Sequence, residues 1–434
     1  MRQNNRSQKL RGLLPLALLV TALLAGNAAG ESLQEAWDTA LAVSHSLKAS
    51  RENTAASASQ LDAAKSARLP NISLEAGYSV LDNTPEMQAD LLGQSLQIPV
   101  APQNSAAFKT MATLPLYTGG RIGSGIDAAS ASLDAAKHGE IGDTQSLKLR
   151  VADAYVAVMR AGSLLKVAES HVQSLEAHAH DVENFYTQGM VAKSDLLSAS
   201  VSLADARQKA LQATNALDLA RAAYNRLLAR PLDQSVTLEE FTPENGDHPL
   251  SSLTEQALSK RSELAALARQ IEAIHHQASA VRGETLPQVA LTGGYNYQQN
   301  RYQVHEGQWI VALGVKWNLF DGGVVGYRAG AVERQASTLV EQRKELASIV
   351  TLQVRQSWLD VNETRKRLIV TQSAIGQAEE NLRVVRDRYS NGLSTHTEVL
   401  NAETLRINNE SNHTNVLYDA ALAGLRLKRA VGEL

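Results

Sequence analysis

Polar and apolar positions change period in the same order twice along this chain. From Glu31 to Arg68, Leu33, Ala36, Ala40 and Leu47 form an apolar stripe at helical spacing, with no Pro or Gly inside, and Pro70 ends it. Period two then takes over. Ile72, Leu74, Ala76, Tyr78 and Val80 alternate with Asn71, Ser73, Glu75, Gly77 and Ser79, predicting a strand over about 70–81 with one apolar and one polar face. A polar, Pro-containing connection, Asp82 to Ser105, leads to a second strand over about 107–118, which Gly119 and Gly120 punctuate. The helical period returns from Ile122. Leu147, Val151, Ala154, Val158, Ala161, Leu165, Ala168, Val172, Leu175, Ala179 and Val182 are spaced by alternating fours and threes, a coiled-coil seam. Gly189 interrupts it, and a second seam runs from Leu196 to Leu227. The pattern predicts long helices over about 122–188 and 193–228, the first roughly 100 Å long.

The same plan follows in the second half. LPLYTGGR (Leu114 to Arg121) reappears as WNLFDGGV (Trp317 to Val324), and FYTQGMVAKSDLLSA (Phe185 to Ala199) as RYSNGLSTHTEVLNA (Arg388 to Ala402), both at an offset of 203 residues. RLPNISLEAGY (Arg68 to Tyr78) matches TLPQVALTGGY (Thr285 to Tyr295) at an offset of 217, so the first hairpin carries 14 extra residues. The second half, 251–434, is therefore expected to hold a helix over Leu250 to Thr285. Strands over about 286–299 and 308–320 and long helices over about 322–390 and 395–431 follow. The first half spans 31–230, and the polar segment 231–250, with its prolines, joins the two. Such a duplicated half is far longer than a solenoid repeat and is a common design of transport proteins.

Composition narrows the reading. The 434 residues are 44% hydrophobic and 4% aromatic, with abundant Ala suited to closely packed long helices. A net charge of −3 gives no basis for binding nucleic acid. Arg2, Arg6, Lys9 and Arg11 precede the short apolar run Leu13 to Leu24 and the small residues Ala28, Ala29 and Gly30, which predicts a signal peptide over 1–30. The chain has no cysteine, hence no disulfide and no lipid-bearing cysteine after the signal. With no later apolar run, entry of the mature chain into a membrane would have to use strands. Four strands cannot close a barrel. Either the sheet lies in water, packed on helices, or several chains pool their strands, three chains giving twelve.

No catalytic constellation emerges, and no cofactor or metal is expected. His178 and His180 are two apart on a helix and share no face. His275 and His276 also diverge, so both pairs read as surface histidines rather than metal ligands. The glycine pairs Gly119–Gly120 and Gly322–Gly323 are not followed by the Lys-Ser/Thr of a phosphate loop and read as strand-to-helix breaks. Asp195 and Glu398 each stand six residues after a helix-breaking glycine, Gly189 and Gly392. In a first helical turn the dipole favours an acid. In a symmetric trimer the same acids make a ring of carboxylates that favours cations.

The signal peptide, the doubled unit, strands ending in YTGGR and FDGG, and the turns after which Asp195 and Glu398 stand together resemble the TolC family of outer-membrane channels. The likeness spans essentially all of Glu31 to Leu434. It implies a mainly α fold with a β-barrel contribution: a homotrimer whose twelve strands form one barrel in outer-membrane lipid, continued by a twelve-helix α-barrel across the periplasm. It implies docking, through a periplasmic adaptor, with an inner-membrane RND or ABC transporter, in tripartite efflux or type I secretion. Asp195, Glu398, Asn401 and Tyr389 would then lie at the periplasmic gate. Gly189, Met190, Gly392 and Leu393 would meet the adaptor. Ser394 stands where the best-known member carries an arginine, and Ser198 and Asn401 replace a further acid. A soluble periplasmic coiled-coil adaptor or tether is the alternative. A general diffusion porin fits poorly with so much long helix.

Overall fold

The computed structural model describes residues 30–91, 93–240 and 249–434; the expected signal segment lies outside them except for Gly30. The first half comprises α1 (Leu33–Val43), α2 (His45–Ser66), β1 (Asn71–Val80), β2 (Glu86–Leu91), β3 (Gln94–Pro99), β4 (Asn104–Tyr117), α3 (Arg121–Thr187) and α4 (Lys193–Leu227). The second comprises α5 (Leu250–Lys260), α6 (Ser262–Arg282), a 3-10 turn at Gly283–Thr285, β5 (Gln288–Gln298), β6 (Gly307–Lys316), α7 (Val324–Ser390) and α8 (His396–Val431). Helices α3 and α7 have 67 residues each, about 100 Å.

Several details differ from the sequence-based reading. The single helix expected over Glu31 to Arg68 is two, because Ser44 leaves helical geometry (ψ 120°) and its hydroxyl caps α2 by accepting from the Leu47 N–H. The helix expected over Leu250 to Thr285 breaks likewise at Arg261 (ψ 119°), the residue 217 positions after Ser44. Arg261 is buried, and its guanidinium donates to the Ala430 carbonyl and to Glu263; this docking on the end of α8 holds the break. The connection Asp82 to Ser105 is not featureless: its 14 surplus residues are the length of a second hairpin, β2 paired antiparallel with β3 from Glu86 to Pro99.

The glycine pairs set the remaining difference. Gly119 (φ +62°), Gly120 (φ +84°), Gly322 (φ +69°) and Gly323 (φ +84°) are all left-handed, a conformation that a right-handed helix does not admit. Helix α7 therefore does not include Gly322, where the sequence pattern would start it, and begins at Val324. The strand before it stops at Lys316 rather than reaching Phe320, so Gly322 belongs to the connection between β6 and α7. Gly120 and Gly323 are the N-cap residues of α3 and α7. The residue two positions before each N-cap supplies the capping oxygen in both halves. Thr118 Oγ1 accepts from the Ile122 N–H, and the Asp321 carboxylate accepts from the Gly323 and Val325 N–H groups.

The main sheet is antiparallel, in the order β1-β4-β5-β6. Its register sorts side chains cleanly. Glu75, Lys109, Asn296 and Gln308 are paired in one row across all four strands. On the other face run Ile72, Leu74 and Tyr78 of β1 and Trp309, Val311, Leu313 and Val315 of β6, all broadly exposed. Aromatic rings cluster on that face toward the hairpin ends. Phe108 stacks on Tyr297 at 5.1 Å, and Tyr295 packs against Trp309 at 5.1 Å.

The helices continue the order of the strands, because α2 runs into β1, β4 into α3, α6 into β5 and β6 into α7. The first half of α3 lies between α2 and α6: Ser50 bonds Asp143, and Gly142 abuts Ser262. Its second half lies between α4 and α8, where Arg207 pairs with Glu176 and Arg160 with Asp419. Helix α7 packs first on α6 and then on α8. The layer therefore reads α2–α3–α6–α7 beside the sheet and α4–α3–α8–α7 away from it. Between the two levels sits the largest core, built on Leu147, Val151, Tyr155, Tyr224 and Leu228. There Tyr155 Oη lies 2.6 Å from the Glu239 carbonyl and 2.8 Å from that of Glu31, and Arg230 grips the Glu31 carboxylate with two nitrogens.

Candidate functional site at the paired helix turns

The two turns far from the sheet are built alike. Gly189 (φ +74°) and Gly392 (φ +73°) take the left-handed conformation that ends each long helix. The N–H of Met190 donates back to the Phe185 carbonyl, and that of Leu393 to Arg388, each at 2.8–2.9 Å. Met190 and Leu393 themselves project into solvent, 63% and 69% exposed. Behind them, α3, α4, α7 and α8 share one small core of Val182, Ala199, Tyr389 and Val399, with Phe185, Leu196 and Val385 packed against it. The tips of the two hairpins thus form a single body.

The acids differ in what they do. Glu398 is exposed and forms a capping box with Thr395: its carboxylate accepts from the Thr395 N–H, while Thr395 Oγ1 accepts from the Glu398 N–H at 3.3 Å. The Ser394 hydroxyl also donates to Glu398, and this bond, ahead of the backbone one, holds the carboxyl below the usual range. Ser394 thus serves the acid within its own turn. Asn401 is exposed further along α8. Asp195, half-buried in the first turn of α4, instead acts across helices. The Tyr389 hydroxyl has its pKa raised by burial and then by the negative charges of Asp195 and Asp181. That hydroxyl has no hydrogen-bond partner among the described residues. The turns therefore bring Asp195 and Tyr389 together, whereas Glu398 is turned to its own helix start.

Two buried features escaped the sequence. His178, read as a surface residue, is 4% exposed; its Nε2 shares a 2.9 Å hydrogen bond with Nδ1 of His396, also buried. Its place on the α3 seam, between Leu175 and Val182, was the available signal. Next to this pair Glu403 is 1% exposed and bound by Arg406 at 2.6 Å, His171 at 3.2 Å and Arg386 at 3.5 Å. Burial alone would raise its pKa, but the hydrogen bonds from His171 and Arg406 win and bring it down to about 2. His275 meets Glu333 at 3.1 Å and His276 lies 3.9 Å from Glu272. No group of three or more His, Cys, Asp or Glu among the described residues is arranged to hold a metal.

A family model described as outer membrane efflux protein matches residues 36–230 and 253–433, nearly all of both halves. The chain belongs to the outer membrane efflux proteins. It is 22% identical over 381 residues to the outer membrane protein TolC of Vibrio cholerae, covering 85% of this chain and 83% of that protein. The Escherichia coli TolC is 21% identical over 308 residues, 67% of this chain and 62% of that protein. Among solved structures, the outer membrane protein VceC of Vibrio cholerae superposes with a TM-score of 0.78 at 18% identity, over 92% of this chain and 96% of that one. The outer-membrane channel CmeC of Campylobacter jejuni gives 0.78 at 14% identity, over 99% and 94%. Like its relatives, this efflux protein is an outer-membrane protein that reaches into the periplasm. None of its described helices is long and apolar enough to cross a membrane.

Proposed function

We propose that three copies of this chain form the outer-membrane exit duct of a tripartite efflux pump or type I secretion system, conducting substrate passively while an inner-membrane RND or ABC transporter supplies the energy. One observation carries the reading: every layer of the protomer ends in open edges on the same two sides. The sheet leaves β1 and β6 unpaired on their outer sides, a state that neither water nor lipid favours. Beside the sheet the free helices are α2 and α7, and away from it α4 and α7. Both α4 and α7 carry exposed apolar residues, Leu197, Val201, Leu211 and Leu219 on α4 and Leu352, Leu359, Ile369 and Val370 on α7. Joining β6 and α7 of one copy to β1, α2 and α4 of the next satisfies all of these edges with a single rotation, and four strands from each of three copies reach twelve.

The polar row Glu75–Lys109–Asn296–Gln308 then faces the lumen, and Met190 and Leu393 form the rim presented to the periplasmic adaptor. Asp195, Tyr389, Glu398 and Asn401 surround the periplasmic gate. The duct predicts a trimer in detergent extracts of outer membranes and a conducting channel in planar bilayers. A monomer recovered from the soluble periplasm would overturn it in favour of the tether. For the gate, Glu398→Gln is the informative change, since glutamine preserves the capping box and removes only the charge. Cation preference is expected to fall; unchanged selectivity removes Glu398 from the gate.

A further inference from the structure

The His178–His396 pair is a polar contact between α3 and the start of α8, set beside the small apolar core that the four tip helices share. His178 belongs to α3, and His396 is the first residue of α8, immediately after the turn that carries Gly392. Their rings are parallel to within 7° at 5.0 Å, both side chains are buried, and the 2.9 Å N–N separation requires that one imidazole donate and the other accept. Tyr389 of α7 closes the site, edge-on to His178 at 5.3 Å. We propose that this pair is a proton-operated latch: with both imidazoles neutral it pins the α7–α8 turn to α3, and protonation of the pair, complete when both rings are cationic, releases the turn.

The chemistry follows from the groups that face the pair. The two neutral rings hold two N–H protons and two lone pairs, and their mutual bond uses one of each. The Nε2 of His396 has no partner among the described residues. A proton taken from water by the pair makes an imidazolium in a site with little solvation to offer it, and a second proton leaves two donors facing each other. Arg386 and Tyr389 of α7, Glu403 of α8 and Asp195 of α4 act on the pair itself, with Asp181 of α3 behind Tyr389 and His171 of α3 and Arg406 of α8 behind Glu403. Burial, the partner imidazole and the Arg386 cation bring His178 down to about 4, with Glu403 opposing them. Burial also lowers His396, against the pull of Asp195. Glu403 is already committed to Arg406 and His171, and the N-terminal dipole of α8 disfavours a cation at His396.

The direction is fixed by linkage. A histidine whose pKa is lower in the closed turn than in the open one binds protons preferentially when open. The closed arrangement is therefore favoured fully above the ordinary histidine value of 6.5 and loses ground as pH falls from there toward about 4. Its consequence for conduction rests on the gate reading above; the release of the turn does not.

The protein contains no cysteine, so Leu393→Cys can carry a single spin label at the exposed tip. In the assembled channel the label is expected to gain mobility as pH falls from about 7.5 to about 4.5, with its midpoint below 6.5. The double variant His178→Gln, His396→Gln keeps a neutral hydrogen-bonding pair and is expected to abolish the response. His180→Gln, an exposed neighbour, is expected to leave it intact. No pH response in the unsubstituted sequence, or an undiminished response in the double variant, overturns the latch. Should the double variant fail to assemble, NMR titration of the wild-type imidazoles decides instead: both histidines titrating near 6.5 rejects the proposal, and a depressed value that tracks the label midpoint supports it. A mobile label with unchanged conductance refutes the gate and leaves the latch standing.

Discussion

Glu403 is the residue in which burial and charge are most at odds. A carboxylate 1% exposed survives as an anion only because two arginines and a histidine surround it, and removing one partner from such a buried ion set is costly. Glu403→Gln leaves Arg386 and His171 without their anion and Arg406 with Glu410 alone. A folded pKa of about 2 against an ordinary value of 4.5 corresponds to a loss of about 3 kcal/mol. Because the folded value is depressed, this contribution is complete above 4.5 and disappears as pH falls from there toward 2, a window below most of the His178 one. Chemical unfolding followed near pH 7 and near pH 3 checks both points: the variant is expected to be weaker at the higher pH, and the gap to wild type is expected to narrow to about half at the lower, where the window is only part-crossed. Equal stability at neutral pH would reduce the cluster to a neutral packing contact. None of this was legible in the sequence. His171, Arg386, Glu403 and Arg406 come from three helices, and one-dimensional spacing carries no sign that α3 and α8 approach. By contrast, the turn glycines and the acids six residues after them were visible because a local backbone requirement wrote them twice.

At the scale of elements, the alternation in β1 and the three-and-four spacing of α3 were readable because each records burial on one face. The helix breaks at Ser44 and Arg261 were not, since neither residue is a breaker by propensity; Ser44 acts through its hydroxyl and Arg261 through distant contacts with α8. The β2–β3 hairpin was visible only as surplus length, since its alternation is short. The strand-to-helix junction offers a direct test of what the doubled glycines do. A Cβ on Gly119 would stand 2.4 Å from the Gly283 carbonyl oxygen and 2.6 Å from Leu286 Cβ, whereas a Cβ on its counterpart Gly322 meets nothing within 4 Å. Both have positive φ, so alanine at either position costs about 1–2 kcal/mol of backbone strain. Gly119→Ala adds a clash with backbone that cannot swing aside. It is expected to lower the heat stability of the assembled species on gels more than Gly322→Ala. The reverse order would mean that the α6–α3 approach is looser than its geometry.

For the whole molecule the deciding question is what touches the two faces of the sheet. Trp309 and Trp317 stand eight residues apart, about 26 Å along an extended strand, close to the height of an outer-membrane apolar band before tilt. Leu313 lies midway between them and is 64% exposed in the single chain. If this face meets lipid, Leu313→Arg places a cation near the bilayer midplane and costs about 2–4 kcal/mol, enough to reduce the trimer recovered from membranes severalfold. Gln308→Arg, in the row with Glu75 and Lys109, adds the same charge to the opposite face. There it meets water in a lumen, so assembly is expected to survive while ion preference shifts toward anions in bilayer recordings. A soluble tether makes the contrary forecast, because both positions would then be solvated and arginine would be tolerated equally. The two arginines thus separate duct from tether through one comparison on one strand, and the sign of the conductance change at position 308 reports independently which face lines the pore.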